Sequence, residues 1–171
     1  MSSRTLLACV FLFLTSCVSI FCAQTTSIEG TYSNPAEGYS IKIPPGLKGL
    51  FDDEDGPQRG VRIPLPSGGV IVVFGEPNSL EYKTPEEGIR AELKLKNCES
   101  RQEIHPAALG KLKGARGRLV CGDRDLTLLL AFRPGGSPIY WLRLDTTRAR
   151  ESEDQSILQT IAASFNLVPW K

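Results

Sequence analysis

Residues 109–145 read LGKLKGARGRLVCGDRDLTLLLAFRPGGSPIYWLRLD, and their spacing sets the architecture. Three stretches, Leu109 to Cys121, Leu126 to Phe132 and Ile139 to Asp145, have the alternating or continuous apolar content of strands. Gly122-Asp123 and Pro134-Gly135-Gly136-Ser137-Pro138 separate them, and both are strong turn signals. Parallel strands need long crossovers, so connections this short predict an antiparallel meander of three strands.

Upstream, Ser67-Gly68-Gly69 turns into the apolar run Val70-Ile71-Val72-Val73-Phe74, which predicts a central strand. Val61, Ile63 and Leu65 alternate with Arg62, Pro64 and Pro66; two prolines on one parity predict an edge strand, where missing N–H donors cost little. Tyr39, Ile41 and Ile43 alternate behind the turn Asn34-Pro35-Ala36-Glu37-Gly38, so residues 30–44 predict a hairpin. Two helices are marked by their starts. Thr84-Pro85-Glu86-Glu87 combines an N-cap, a first-turn proline and a third-position Glu, with Ile89 and Leu93 on one face and an end near Asn97-Cys98. Ser152-Glu153-Asp154-Gln155 has the capping-box pattern, followed by Ile157, Ile161 and Phe165 four apart. The order is hairpin, two strands, helix, three strands, helix. This is an α+β protein, with a mainly antiparallel sheet and helices packed on it.

The ends of the chain carry a resemblance. Tyr32-Ser33-Asn34-Pro35 with Gly38-Tyr39-Ser40-Ile41-Lys42-Ile43-Pro44 is similar to the first hairpin of the PsbP-like family. The close is similar too, with Tyr140-Trp141-Leu142 and an acidic-capped helix ending Ala162-Ala163-Ser164-Phe165. The family shares an α/β/α sandwich with the Ran-binding nuclear-import factors and with many exported bacterial proteins. The resemblance implies that fold for a single domain over residues 27–171 and carries over no site residue, because its members bind unrelated partners. The cysteine pair at 98 and 121 has no position in the resemblance.

The whole chain has 171 residues, 41% hydrophobic and 23% charged, ordinary values for one folded domain. A formal charge of +1 argues against nucleic-acid binding driven by positive charge, and a single His excludes a site built on two. Residues 1–23 differ from the rest. Arg4 precedes the run LLACVFLFL at 6–14 and the continuation TSCVSIFCA, the pattern of a secretory signal peptide. Leu14-Thr15-Ser16-Cys17 also resembles a lipobox, which would acylate Cys17 and make the segment a lipoprotein leader. An uncleaved anchor is a third reading, although Thr15, Ser16 and Ser19 interrupt a run already shorter than the roughly 20 apolar residues of a spanning helix. Without residues 1–23 the chain has 19 basic and 19 acidic residues and keeps two cysteines, Cys98 and Cys121. In an oxidising compartment two such cysteines pair, so a disulfide between them is expected.

Catalytic motifs are missing: there is no GxSxG, SxxK, HExxH, phosphate loop or GxGxxG. His105, before Pro106, falls in a loop or strand edge. Asp52-Asp53-Glu54-Asp55-Gly56 fails the calcium-loop spacing, because a loop with Gly56 sixth begins at Phe51 and ends at Arg62. It reads as a solvated acidic loop. No cofactor or metal is predicted. Lys111, Lys113, Arg116 and Arg118 form a basic stretch on one strand, where Lys111 and Lys113 share one face and the arginines the other unless a bulge at Gly114-Ala115 re-aligns them. Trp141 shares a face with Arg143, and Trp170 lies near the C-terminus. The candidate binding patch is therefore Lys111, Lys113, Arg116, Arg118, Trp141 and Arg143. The expected role is an exported, periplasmic or extracellular, non-catalytic binding or accessory domain for a protein or envelope component. Membrane contact would come only through the leader. The alternatives are a secreted hydrolase with dispersed carboxylates and a lipid-anchored structural lipoprotein.

Overall fold

The computed structural model describes residues 25–52, 60–95, 98 and 103–169. The leader with Cys17, the acidic residues 53–55 and Trp170 lie outside them. The strands are β1 (Thr25–Ile28), β2 (Thr31–Asn34), β3 (Tyr39–Lys42), β4 (Gly49–Asp52), β5 (Val61–Pro64) and β6 (Val70–Glu76). They are followed by α1 (Pro85–Leu95), β7 (Glu103–Leu109), β8 (Leu112–Cys121), β9 (Arg124–Phe132), β10 (Ile139–Thr147), α2 (Glu151–Ser164) and β11 (Asn166–Leu167). Eight strands form an antiparallel sheet in the order β1-β4-β5-β6-β10-β9-β8-β7, and three form a small sheet, β11-β3-β2.

The predicted meander is β8-β9-β10, with β9 paired along its whole length to β10. Seven consecutive residues of β9, Asp125 to Ala131, are buried, so the run covered on both faces needs no polar alternation. One face packs under α1, through Ile89, Leu93, Ala115, Leu119, Leu128, Leu130 and Trp141. The other packs under α2 and the small sheet, through Tyr39, Ile41, Val73, Leu142, Leu144, Leu158, Ile161 and Phe165. This is the layered α+β arrangement expected from the element order. Residues 31–42 form the expected hairpin, with Asn34 opposite Tyr39.

Three expectations are corrected. Leu109 to Cys121 is not one strand. Gly110 and Lys111 form a two-residue turn between β7 and β8, with Leu109 opposite Leu112. Gly110 sits at φ 54°, donates its N–H to the Ala162 carbonyl at 2.7 Å, and lies so close to Phe165 that a Cβ would meet its carbonyl oxygen at 1.9 Å. The turn is held by the end of α2, a contact that no local pattern reports. Pro106 and His105 fall on β7, an outer strand of the large sheet, which tolerates the missing donor.

The proline-bearing strand β5 is interior, between β4 and β6. Its ladder with β4 has one registered pair, Leu50 with Arg62, so Pro64 falls beyond it and removes no bond. The outer position belongs to β1, which pairs with β4 from Thr25–Asp52 to Ile28–Gly49.

The capping box at Ser152 is not made. Helix α2 starts at Glu151 behind Arg150, with no side-chain cap. Asp154 and Gln155 turn inward instead. Asp154 Oδ2 accepts from Ser67 Oγ at 2.8 Å and from Thr146 Oγ1, while Gln155 Nε2 donates to Thr127 Oγ1. Both side chains are buried, so the helix exchanges a surface cap for a polar seam against β9 and β10.

Candidate functional site

Helix α1 forms as its start predicts. Thr84 Oγ1 accepts the Glu87 N–H at 3.2 Å, and Glu87 Oε2 reaches back to the Lys83 N–H at 2.7 Å. Its approach to the sheet depends on two glycines. A Cβ on Gly88 would stand 2.4 Å from Leu130, and one on Gly117 would stand 2.3 Å from Ile89. Cys98, beyond the end of α1, is disulfide-bonded to Cys121 at the end of β8, which ties this layer to the sheet.

Beside α1 the sheet has a groove of about 170 Å³ lined by Phe74, Glu76, Glu92, Leu128, Trp141 and Arg143. Register places them there: Phe74 is opposite Trp141, and Trp141 is opposite Leu130 on the other side. The Phe74 and Trp141 rings are near-parallel, with centroids 6.4 Å apart and 19° between planes. Trp141 Nε1 donates to Glu76 Oε1 at 2.8 Å, which orients that carboxylate and uses one of its oxygens. Arg143 Nη2 lies 3.7 Å from Asp145 Oδ2, on a carboxylate that Arg124 also holds. No ion pair forms at Glu76 or Glu92 among the described residues. Burial raises the Tyr82 phenol pKa, and the charges of Glu92, Glu76 and Glu87 raise it further.

Glu37 reports the same field. Its carboxyl pKa is raised, first by burial and then by the charge of Glu76. A raised folded-state pKa favours the protonated form, so its contribution is fully present below the unfolded value and is lost as pH rises through the folded one. At neutral pH the ionised group is therefore a cost. Glu37→Gln is expected to raise the melting temperature near pH 7, with the gain disappearing below about pH 4. Melting curves at both pH values test this; an equal gain at both would show that charge is not the cause.

The six residues of the predicted patch do not meet. Trp141 and Arg143 line the groove, but two carboxylates join them. Strand β8 keeps an unbroken register with β7 and β9, so no bulge re-aligns its charges. Lys113 shares a parity with Ala115 and Leu119, which pack under α1, whereas Arg116 and Arg118 lie on the opposite face. Arg118 is held by buried Asp125, with Nε 3.0 Å from Oδ2, and lies 3.6 Å from Glu151; the Asp125 hydrogen bonds are the main reason its pKa is raised. Lys111 is in the β7–β8 turn, beside a notch lined by Phe165 and Leu167.

Glu76 and Glu92 were not among the sequence candidates. Each had a faint signal, an acid closing an apolar strand and an acid one residue before the buried Leu93. Their meeting depends on β6 pairing with β10, which joins Glu76 to Ile139, 63 positions further along the chain.

No family model and no curated protein sequence matches the chain. Among solved structures, it is similar to the cyanobacterial PsbP protein CyanoP from Synechocystis sp. PCC 6803, with TM-score 0.58 and 16% identity over 90% of this chain and 98% of that one. It is also similar to LpqN, a protein of Mycobacterium tuberculosis involved in cell envelope biogenesis, with TM-score 0.56 and 16% identity over 85% and 91% of the two chains. At this identity the likeness shows the fold alone. That fold is PsbP-like, as the two ends of the sequence implied.

Proposed function

We propose that this chain is an exported, non-catalytic accessory domain of the cell envelope or extracellular space, which binds a protein through the groove beside α1. The groove carries the proposal: an oriented carboxylate, a second that forms no ion pair among the described residues, and the half-buried Phe74 ring packed on buried Trp141 form a recognition surface on the sheet. Export is supported by residues 1–23 and by the Cys98–Cys121 bond, which persists in oxidising compartments. Similarity in fold to LpqN, itself involved in cell envelope biogenesis, agrees with an envelope role.

A photo-crosslinking amino acid at Val72, on the groove's face of β6, tests the binding site in cells. A crosslinked envelope component from position 72, absent when the crosslinker replaces Lys42 in the small sheet, is the expected result. Equal products at both positions, or none at 72, would overturn it. The same cells test export: the protein is expected outside the cytoplasm, with both domain thiols protected from alkylation until reduced. Cys17 acylation is read by clickable fatty-acid labelling against Cys17→Ala, and equal labelling would exclude it.

A further inference from the structure

We infer that the groove receives an arginine side chain of the partner protein, with its guanidinium on the carboxylates of Glu76 and Glu92 beside the Phe74 and Trp141 rings. The inference rests on the binding reading above and names the chemistry that the groove selects.

Size sets the first limit. About 170 Å³ is well below the roughly 300–1,000 Å³ of pockets that hold small-molecule ligands, and it suits one long side chain. Charge sets the second. Two acids and one base line the groove; among the described residues the acids make no ion pair, while Arg143 faces Asp145. An anionic group would meet both carboxylates, whereas a cation would satisfy them. Shape and surface set the third. The indole N–H holds Glu76 in one orientation, and that carboxylate stands beside two near-parallel rings. Trp141 is buried and Phe74 half-buried, so the ring open to a ligand is that of Phe74, packed on the indole. A planar guanidinium can lie flat on such a ring while bonding carboxylates through a fixed fork of donors; an ammonium can meet the ring face but has neither the planar stacking nor the fork.

The test uses the oxidised protein, isotopically labelled, with the Trp141 indole N–H signal assigned by comparison with Trp170→Phe. It is titrated with acetyl-Gly-Arg-Gly-amide and with the citrulline, lysine and glutamate versions. The arginine peptide is expected to shift the signal saturably, with citrulline at least about tenfold weaker and lysine several-fold weaker. Added salt should weaken the arginine binding. Glu92→Gln and Glu76→Gln are each expected to lose about tenfold in affinity. The amide at 76 still accepts the Trp141 N–H, so that loss reads charge rather than unfolding.

Equal binding of arginine and citrulline, stronger binding of glutamate, or unchanged affinity in Glu92→Gln would overturn the inference. Equal binding of lysine would overturn the choice of arginine. If the arginine peptide fails while crosslinking from position 72 persists in Glu92→Gln, the basic occupant is wrong and the binding domain stands. If both fail, both readings fall.

Discussion

Replacing Tyr39 by Ala is expected to destabilise the protein by about 3–5 kcal/mol, the usual cost of removing a fully buried large aromatic ring. The Tyr39 ring is completely buried where the layers meet. It stacks on Phe165 at 5.4 Å and 9°, meets Tyr140 edge-on at 5.5 Å and Tyr32 at 6.0 Å. These partners come from the large sheet, the small sheet and the residue that follows α2, so one ring joins three elements. Its hydroxyl donates to the Val73 carbonyl at 3.3 Å, and burial pushes its pKa far above the ordinary phenol value. Tyr39→Phe keeps the ring and loses the hydroxyl, with its bond to Val73 and its hydrogen bonding to Tyr32 and Asn34, at a cost of about 1–3 kcal/mol. Urea unfolding of the two variants separates packing from polarity. An Ala variant within 1 kcal/mol of the parent would show that the cluster does not join the layers.

The double replacement Cys98→Ser, Cys121→Ser is expected to cost about 3 kcal/mol, because the bond closes a loop between residues 23 positions apart. For a domain of this size that corresponds to a fall of roughly 6–12 °C in melting temperature. The loss should be uneven. Helix α1 has 11 residues and buries Gly88, Ile89 and Leu93, a small interface for an element too short to persist alone in water. The disulfide fixes the chain just beyond it. Amide exchange is therefore expected to accelerate most in α1 and least in β9, which is buried on both faces. Uniform acceleration would mean that the bond stabilises the whole domain rather than one wall of the groove.

The periodic segments announced themselves. The β9 and β10 runs, the Tyr39 hairpin and the Thr84 cap each express their structure within ten residues or so, through side-chain alternation, turn chemistry or one local hydrogen bond. The misreadings arose where a remote contact overrode a local pattern. Gly110 turns because α2 accepts its N–H and leaves no room for a Cβ. Gln155 leaves the capping box because Thr127 lies beneath it. Pro64 sits in an interior strand because the partner ladder ends before reaching it.

The candidate site divides in the same way. Alternation along β10 put Trp141 and Arg143 on one face, and the parity of β8 separated Lys113 from Arg116 and Arg118 unless a bulge intervened. Those relations belong to a single strand, so its sequence specifies them. The sign of the groove does not belong to a single strand. It follows from β6 lying against β10 and α1 standing over the same face, which brings Glu76 and Glu92 to the tryptophan and makes an apparently basic site acidic. Strand order and layer packing are set by burial summed over the whole chain, and that sum has no local signature in the residues it brings together.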